Sequence, residues 1–411
     1  MWEHVSSPLH FEIHAAAKRN IEGHEVENSV RVLQVNKLYA PWIGGVEAVV
    51  QDIAEGLRDM PGIECKVLVC RDRGRTQQSI LNGVEVERVA SAGRFLSMPI
   101  APSFPVQLSR MASHFEVIHV HIPFPLVMFC DWRGIKARGS RLVVHYHSDI
   151  CRPVQKFALS CFSALERRFL EAADVIIVTS QGLMENSKTL EPYRKKCKVV
   201  PLSIDLDNLR VATPLEISNC SERYGILDGE PVVLFAGRLV YYKGIEYLIE
   251  AAKDLSAKVL IAGDGPLRSF LDGQVAKAGL GHRIQFLGRV TDAELAALYS
   301  LSDVFVLPST EPSEAFGLVQ LEAMARGLPV INTDLPTGVP FISLDGVSGV
   351  TVAPRDSAAL RHAIAEVIDN PELRNRFSEN ARQRAQLFSR KVVLDQIMSI
   401  YQNLTLGMGA R

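Results

Sequence analysis

The feature that most constrains the fold is a repeated alternation of short apolar runs with amphipathic, helix-like segments. Runs such as 175–178, 232–236 and 304–307 are apolar throughout. Strands that are buried on both faces of a parallel sheet have this pattern. Because helix-like segments separate the runs, the pattern predicts an α/β protein built from doubly wound parallel sheets.

The alternation occurs in two series along the 411-residue chain, which is too long for a single hydrophobic core. The prediction is a flexible extension over 1–29, a Rossmann-like domain over 30–205 and a second Rossmann-like domain over 206–388. A polar connection at 205–229 links the two series. The segment 389–411 is predicted to form a helix that packs back toward the first domain. Ligands of such domains bind at the carboxyl ends of the strands, so a deep crevice between the domains is the expected site.

Composition excludes several classes of function. A formal net charge of −1 argues against a nucleic-acid-binding protein that acts through bulk charge. The seven cysteines form no CxxC pair, which favours reduced thiols in a cytosolic protein. No apolar stretch reaches the length of a membrane span, and the N-terminus has no signal-peptide core. We therefore predict a cytoplasmic location.

Two glutamates eight positions apart, Glu314 and Glu322, follow the apolar run 303–309. A helix is predicted to open at Gly317, which places Glu314 in the preceding loop and Glu322 on the helix. Carboxylates in a strand-end crevice are suited to accept hydrogen bonds from the vicinal hydroxyls of a sugar or a ribose. The simpler interpretation is a helix cap followed by a solvated helix glutamate.

Basic residues follow the first strand of the second series. Arg238 ends that strand and Lys243 precedes the next helix. An arginine fork and a lysine point charge at this place can hold a diphosphate, although two solvated basic side chains would have the same spacing.

Two further strand ends carry weaker signals. Gly263 lies in a Gly-Asp-Gly-Pro turn whose simplest role is structural. Arg289 and Val290 follow the next strand, where backbone groups could contact a base edge.

In the first domain, Gly44 and Gly45 occupy a strand-to-helix turn and would let the backbone approach a phosphate. Histidines occur at the ends of two strands: His119, His121, His145 and His147. They could donate hydrogen bonds, act as a general base or pack in the core, and a zinc site ranks below these roles. Asp205 and Asp207 match a DxD pattern, but in a linker they indicate a turn or a helix cap.

In this order, these motifs resemble the retaining GT-B glycosyltransferases of family 4, the glycosyl transferases group 1 type. The resemblance covers about 30–405 and rests on Gly44-Gly45, His147, Arg238 with Lys243, Gly263 to Pro266, and Glu314 to Glu322. The run 335–352 looks most like bacterial mannosyl- and rhamnosyltransferases of surface-polysaccharide assembly. One departure is Pro201-Leu202-Ser203-Ile204-Asp205, where the family often has Pro-Asn-Gly-x-Asp.

The resemblance implies a role for each matching position. Arg238 and Lys243 would hold the donor diphosphate, and Glu322 would bind the ribose. Glu314 would bind the donor sugar, near the backbone N–H groups of Phe316, Gly317 and Leu318. His147 would lie near the reacting face of the sugar, and Gly44 and Gly45 near the phosphate and acceptor. His147, Arg238, Lys243 and Glu314 form the expected catalytic set, without a metal.

The expected activity is retaining, metal-independent transfer of a hexose, mannose or rhamnose, to a glycan or a lipid-linked glycan. The donor is a nucleoside-diphosphate sugar, with a GDP-linked sugar as the working hypothesis and no separate cofactor. Basic residues over 133–168 and the amphipathic segment 154–170 suggest peripheral contact with the inner face of the cytoplasmic membrane, or only a solvated basic face. The alternatives are a GT-B epimerase and a non-catalytic nucleotide-sugar-binding or assembly protein.

Overall fold

A computed structural model describes residues 29–42, 44–95, 98–149 and 162–406. The predicted extension over 1–29 lies almost entirely outside the described residues. The described chain forms two α/β units, each with a parallel sheet between helices, as the alternation of apolar runs predicts.

The N-terminal unit contains an eight-stranded sheet in the order β10-β9-β8-β7-β1-β2-β4-β3. The strands of the unit are β1 (Val30–Val35), β2 (Ile63–Cys70), β3 (Gln77–Leu81), β4 (Val84–Val89), β5 (Arg94–Phe95), β6 (Met98–Pro99), β7 (Val117–Ile122), β8 (Arg141–Tyr146), β9 (Val175–Val178) and β10 (Cys197–Val199). The helices are α1 (Gly45–Arg58), α2 (Phe104–Ala112), α3 (Trp132–Ala137), α4 (Ser163–Ala172) and α5 (Gln181–Asn186). Strands β5 and β6 form a separate hairpin.

The C-terminal unit contains a six-stranded parallel sheet in the order β13-β12-β11-β14-β15-β16. Its strands are β11 (Val232–Ala236), β12 (Lys258–Ala262), β13 (Ile284–Gly288), β14 (Val304–Val306), β15 (Val330–Thr333) and β16 (Gly349–Val352). The helices are α6 (Pro214–Tyr224), α7 (Ile245–Ala251), α8 (Arg268–Lys277), α9 (Asp292–Leu301), α10 (Val319–Ala325), α11 (Val339–Ile342), α12 (Ser357–Asp369), α13 (Pro371–Gln386) and α14 (Arg390–Thr405).

Each sheet has one place where the strand order reverses direction. It lies between β1 and β7 in the first sheet and between β11 and β14 in the second. Loops diverge from the carboxyl ends of the strands there and leave a crevice, which is the usual ligand site of doubly wound sheets. The motif residues Gly44, Lys243 and Glu314 follow β1, β11 and β14 respectively.

The predicted polar connection at 205–229 is wrong in one respect, because it contains helix α6. The side chain of Thr213 accepts a hydrogen bond from the backbone N–H of Glu216, and Glu216 reciprocates in a capping box. Pro214 occupies the first helical turn. These signals are local, and they outweigh the polar composition from which a linker was inferred.

The first sheet is also not wholly parallel, because β3 pairs antiparallel with β4 at its edge. The sequence of β3, with glutamines and a serine, lacks the apolar run that identified the other strands. An edge strand is covered by solvent on much of its surface and does not need such a run.

The last helix, α14, lies against the first domain. Its residue Leu394 packs so closely on α1 that a Cβ atom at Gly56 would lie 2.3 Å from Leu394 Cδ1. Arg390 forms ion pairs with Asp52 of α1 at 2.5 Å and with Asp205 at 2.8 Å. The apolar core of the second domain thereby continues onto one face of the first sheet.

The described helices include none with the length and apolar character that spanning a bilayer requires.

The described cysteines, Cys65, Cys70, Cys130, Cys197 and Cys220, are all free thiols, as predicted. Burial raises the pKa of each of these thiols, so the described part of the chain offers no activated thiolate.

Candidate active site

Lys243 and Glu314 form a nearly desolvated ion pair at the carboxyl ends of β11 and β14. The distance from Lys243 Nζ to Glu314 Oε2 is 2.5 Å, and each side chain is 10% exposed. The hydroxyl of Ser309 donates a second hydrogen bond to the same oxygen at 3.1 Å. Removing two charges from water is unfavourable unless other interactions offset it, and such pairs occur often at functional sites.

Backbone packing brings this pair together. Lys243 lies in the 3₁₀ turn Tyr241–Lys243, and Gly244 follows with a φ of +65°. A Cβ atom at Gly244 would lie 2.0 Å from the carbonyl oxygen of Pro308, which belongs to the loop that carries Glu314. Glycine at 244 therefore lets the two loops touch and seats Lys243 beside Glu314.

Arg238 does not take part in this pair. It is exposed, whereas Lys243 is buried. The neighbouring Gly237 lies beside Lys243, because a Cβ atom there would be 3.6 Å from Lys243 Nζ. The two basic residues thus differ in environment, since Lys243 is buried and paired with Glu314 and Arg238 is exposed.

Gly263 is required by the packing of two turns. Its φ is +133°, and a Cβ atom would lie 1.9 Å from the carbonyl oxygen of Gly237. The structural role that the sequence allowed for Gly263 is therefore present. Arg289 and Val290 follow β13 and are exposed and half-buried respectively.

The loop that precedes α10 contains Phe316, Gly317 and Leu318. The predicted helix start at Gly317 is two residues too early, because α10 begins at Val319 and Gly317 has a φ of +79°, outside the right-handed helical region. Phe316 is buried and Leu318 is half-buried. Glu314 lies in the loop and Glu322 on the helix, as predicted.

Glu322 has a different environment from Glu314. The hydroxyl of Tyr299 donates a hydrogen bond to Glu322 Oε2 at 3.3 Å. Burial raises the pKa of Glu322, and the guanidinium of Arg326 opposes that rise. The guanidinium itself stacks 4.8 Å above the Tyr299 ring. This half-buried carboxylate keeps a strong capacity to accept further hydrogen bonds.

On the N-terminal side, Gly44 caps α1 and Gly45 is its first residue. Gly44 has extended backbone, which any residue adopts, so its conformation does not require glycine.

The sequence analysis did not identify the neighbouring pair of Lys37 and Glu47, whose charged atoms lie 3.5 Å apart. Glu47 is only 4% exposed, and its Oε1, the atom nearest the Lys37 ammonium, accepts no hydrogen bond from the described residues.

The four predicted histidines form a buried ladder of parallel rings on one face of β7 and β8. The residues are His119, His121, His145 and His147, and their ring planes lie within 26° of one another for the adjacent pairs. His121 and His145 are directly opposite in the register of the two strands. The alternation of side chains along a strand explains why residues two apart share the face.

Hydrogen bonds connect this ladder to the C-terminal helix. Tyr401 Oη of α14 lies 2.6 Å from His119 Nδ1 and 3.1 Å from Gln34 Nε2. Gln34 Oε1 lies 2.8 Å from His121 Nε2, and His121 Nδ1 lies 3.0 Å from His147 Nε2. With the Gln34 carbonyl as acceptor, His121 donates through Nε2 and accepts from His147 through Nδ1. His147 then keeps Nδ1 as an acceptor.

These imidazoles are neutral near pH 7. Burial lowers the pKa of both His119 and His147 to about 3, with smaller contributions from His147 in the case of His119 and from the Lys37 ammonium in the case of His147. A neutral His147 cannot supply fixed positive charge to a ligand, but its Nδ1 can accept a hydrogen bond.

A metal ion does not suit the ladder, although nitrogens of His119, His121 and His145 lie within 4.8 Å of one another. A metal must lie close to the plane of each imidazole that binds it. The His119 and His145 rings are stacked with an angle of 3° and a centroid distance of 5.4 Å. One ion cannot lie in both planes without rotation of these buried rings, so packing histidines describe the geometry better than a zinc centre.

The DxD pattern has a structural role. Asp205 accepts hydrogen bonds from the backbone N–H and the side-chain amide of Asn208, and it pairs with Arg390. The predicted turn at this position is therefore present, and the carboxylate is occupied by protein partners.

Two doubly wound domains that present motif residues to a shared crevice define the GT-B fold. Solved structures with this fold resemble the whole described arrangement. A sucrose-phosphate synthase from Thermosynechococcus elongatus has a TM-score of 0.72 and 23% identity and covers 92% of this chain and 100% of its own. HepE from Anabaena, solved in complex with UDP, has a TM-score of 0.74 and 22% identity and covers 91% of this chain and 100% of its own.

Sequence comparison defines the family. Residues 217–384 match the glycosyl transferases group 1 family, and residues 43–208 match glycosyltransferase family 4. The O-antigen chain mannosyltransferase C of Escherichia coli is 31% identical over 91% of this chain and 99% of its own length. The D-rhamnosyltransferase WbpZ of Pseudomonas aeruginosa is 31% identical over 88% of this chain and 92% of its own. The chain belongs to the glycosyl transferases group 1 family and is a glycosyltransferase, as the motifs indicated.

Proposed function

We propose that this glycosyltransferase moves mannose or rhamnose from a GDP-linked sugar to a glycan or lipid-linked glycan in polysaccharide biosynthesis, with retention of the anomeric configuration. The activities of the mannosyl- and rhamnosyltransferase relatives support the choice of sugar. The observation that carries the proposal is the buried Lys243–Glu314 pair at the strand-order reversal of the second domain. Neither an epimerase nor a binding protein is among the relatives described above.

Lys243 is the proposed anchor of the donor diphosphate. Its ammonium has three N–H donors, and one of them is directed at Glu314. The others can bind diphosphate oxygens and stabilise the charge that develops as the glycosidic C–O bond breaks. The guanidinium of the exposed Arg238 would donate bidentate hydrogen bonds to the same diphosphate when the donor binds.

Glu314 has two proposed tasks. Its Oε2 holds Lys243 and accepts from Ser309, so its position is fixed before the donor arrives. Its Oε1 would accept hydrogen bonds from hydroxyls of the transferred sugar, next to the backbone N–H groups of the loop at 316–318. In this scheme Glu314 orients the sugar and is neither a nucleophile nor a general acid.

Glu322 is the proposed ligand of the ribose hydroxyls. Its raised pKa reflects a carboxylate that is poorly solvated, and two vicinal hydroxyls would replace the missing water. The backbone after β13, at Arg289 and Val290, would contact the base. Gly44 and Gly45 would approach the donor from the first domain, and His147 would offer Nδ1 to a sugar hydroxyl.

The proposed mechanism needs no metal ion. Cationic charge for the leaving diphosphate would come from Lys243 and Arg238. Asp205, the first carboxylate of the DxD pattern, is already bound to Asn208 and Arg390.

A lipid-linked acceptor would bring the enzyme to a membrane surface. The half-exposed Phe129 shares a surface hollow with Arg133 and Arg168, which fits contact with anionic lipid.

Thermal unfolding with a panel of nucleotides and nucleotide sugars tests the donor. Because a ligand that binds only the folded protein stabilises it, GDP-mannose or GDP-rhamnose at 100 times Kd should add about 2.7 kcal/mol to the free energy of unfolding. GDP alone should stabilise less, and UDP- and ADP-sugars least. Equal stabilisation by UDP-glucose would refute the GDP assignment, and no stabilisation by any nucleotide sugar would refute the function itself.

Donor hydrolysis distinguishes an enzyme from a binding protein. Purified wild-type protein without acceptor should release GDP slowly from the stabilising GDP-sugar, as measured by coupled nucleotide detection. A pure nucleotide-sugar sensor would bind the same compound and release nothing over hours.

A further inference from the structure

A single buried amide interrupts the apolar interior of β1, the first strand of the N-terminal sheet. Gln34 lies on β1 between Leu33 and Val35, and all three side chains are fully buried. An amide is unfavourable in such a place unless both its N–H group and its carbonyl oxygen have partners. Both groups have one, and each partner belongs to a different element of the fold. The amide of Gln34 therefore connects separate parts of the molecule.

The first partner is Tyr401 on α14, the last helix, which lies against the first domain. The amide N–H of Gln34 donates to Tyr401 Oη at 3.1 Å, and the same Oη lies 2.6 Å from His119 Nδ1. Because a hydroxyl both accepts and donates, Tyr401 accepts from Gln34 and donates to His119. This contact holds the amide with its nitrogen toward Tyr401 and its carbonyl oxygen toward the histidine ladder.

The second partner is His121. Gln34 Oε1 lies 2.8 Å from His121 Nε2, and a carbonyl oxygen can only accept, so that nitrogen carries the proton. A neutral imidazole has one N–H group, which leaves His121 Nδ1 to accept from His147 Nε2 at 3.0 Å. His147 then has its lone pair on Nδ1. One amide thus determines the tautomers of two histidines in succession.

Close packing prevents the rings from changing partners. The centroid of the His147 ring lies 4.2 Å from that of His145 and 5.3 Å from that of His121, and these rings are stacked nearly parallel. A ring that turned over would have to displace its neighbours in a densely packed interior. If His121 carried its proton on Nδ1, its Nε2 lone pair would face the Gln34 carbonyl oxygen at 2.8 Å. That repulsion favours the first tautomer for as long as Gln34 is present.

The tautomer of His147 bears on the reaction because of the position of this residue. His147 follows β8 directly, at the carboxyl end of the strand, and in the proposed function it meets a hydroxyl group of the donor sugar. An unprotonated Nδ1 accepts from that hydroxyl, whereas a protonated Nδ1 would require the hydroxyl to turn and accept instead. The tautomer therefore affects how the sugar is oriented for reaction.

We propose that Gln34 is a positioning residue of the transfer reaction, which acts through His121 to keep Nδ1 of His147 unprotonated and able to accept a hydrogen bond from the donor sugar. Gln34 is fully buried, so it acts without touching the substrate. The inference rests on the proposed function, which places His147 beside the sugar. The contrasting interpretation gives Gln34 a role in stability alone.

NMR of the imidazole nitrogens, on full-length protein with isotope-labelled histidine, reads the tautomer directly, because protonated and unprotonated nitrogens differ in chemical shift. The His147 signals are assigned by their loss in His147→Asn. In the wild type near neutral pH, the proton should be on Nε2 of His147. In Gln34→Met, His121 loses its acceptor, so His147 should populate both tautomers. A wild-type proton on Nδ1, or an unchanged His147 spectrum in Gln34→Met, would overturn the proposal.

Tyr401→Phe provides an intermediate case that retains Gln34 and so does not depend on the folding of Gln34→Met. It removes the group that orients the amide, so His147 should populate the second tautomer less than in Gln34→Met. Gln107→Leu is the matched control, since Gln107 lies on α2 of the same domain and its amide donates to Glu87 on β4. The His147 spectrum should stay as in the wild type. An equal change in Gln107→Leu would show a general response to a lost glutamine and overturn the proposal.

Steady-state hydrolysis of the donor gives a second readout. In Gln34→Met, kcat should fall about tenfold, the effect of one hydrogen bond between neutral groups, while the donor KM changes less than about threefold. Gln107→Leu should keep both constants. Lower stability of Gln34→Met with a wild-type kcat would show a purely structural role and overturn the proposal. Failure of the proposed function would appear separately, as absence of stabilisation of the wild type by nucleotide sugars.

Discussion

The two domains place different chemistry at equivalent positions of the fold. Beside the strand-order reversal of the second sheet, Lys243 and Glu314 form a buried pair of opposite charges. Beside the reversal of the first sheet, the strand ends carry a ladder of buried histidines, and His119 and His147 have pKa values near 3. The second domain thus places a buried ion pair at its strand ends, whereas the first places a ladder of neutral imidazoles there, next to the Lys37–Glu47 pair.

This difference fits the needs of the two proposed substrates. A nucleoside diphosphate carries negative charge that increases when it leaves, so its site benefits from a positioned cation. A sugar acceptor is neutral and needs oriented donors and acceptors. The comparison therefore predicts that changes of charge will affect catalysis most in the second domain, whereas changes of pH will affect stability most in the first.

Lys243→Ala is the most severe test of the charged side. Without the ammonium that stabilises the leaving diphosphate, we expect the rate of donor hydrolysis and of transfer to fall about 1,000-fold. The exposed change Lys253→Ala, which removes a lysine that pairs with Glu250 at the surface, should leave the rate nearly as it is. Full activity of the Lys243→Ala variant would refute the proposal that Lys243 binds the donor diphosphate.

A double variant distinguishes lost catalysis from lost stability. Lys243→Ala leaves Glu314 charged and buried without its partner, so the free energy of unfolding should fall by about 3 kcal/mol. Adding Glu314→Gln removes that charge and should restore much of the stability, as measured by urea unfolding. Activity should stay low in the double variant, because neither the cation nor the carboxylate is present.

Acid should destabilise the first domain more than the second. His119 and His147 have pKa values of about 3 when folded and about 6.5 when unfolded, so below pH 6.5 the unfolded chain binds more protons. The contribution that the neutral, buried His119 and His147 make to the free energy of unfolding is thus fully present above pH 6.5 and is lost as pH falls toward 3. From pH 7 to pH 5 each of these residues should remove about 2 kcal/mol from the free energy of unfolding.

Tryptophan fluorescence can follow this effect in the first domain, because Trp42 and Trp132 lie in that domain and no tryptophan follows residue 205 in the sequence. The urea midpoint reported by tryptophan should fall between pH 7 and pH 5, and His145→Leu should reduce that fall. The exposed His114→Gln change is the control and should preserve it. A urea midpoint that does not change between pH 7 and pH 5 would show that the imidazoles of the ladder take up protons in the folded protein as readily as in the unfolded chain.

Tyr401→Phe should have the smallest effect. It removes the hydroxyl that contacts His119 and Gln34, which should lower the free energy of unfolding by about 1 kcal/mol. Because Gln34 orients His121 and His121 contacts His147, kcat should also fall by about threefold, with the donor KM nearly constant.

Tyr193→Phe provides the comparison for Tyr401→Phe. Tyr193 is buried in the same domain and donates one hydrogen bond to the carbonyl of Arg167, away from the ladder. Equal losses of kcat in the two variants would show that Tyr401 contributes only to stability.

Much of the fold follows from local pattern. The apolar runs identified most strands because a strand with both faces buried has apolar residues throughout. They missed β3, an edge strand with polar residues, and the polar composition of 205–229 concealed α6. The capping signal at Thr213, Pro214 and Glu216 could have revealed that helix.

The sequence alone determined the alternating α/β architecture, the positions of Lys243, Glu314 and His147 at strand ends or in loops, and the position of Glu322 on a helix. Only the tertiary structure decided which of these residues touch. Lys243 and Glu314 meet because Gly244 lets two loops come into contact across 71 positions of sequence. Tyr401 reaches Gln34 across 367 positions because α14 crosses to the first sheet. Local patterns specify secondary structure through side-chain periodicity, whereas contacts between distant segments depend on how whole elements pack.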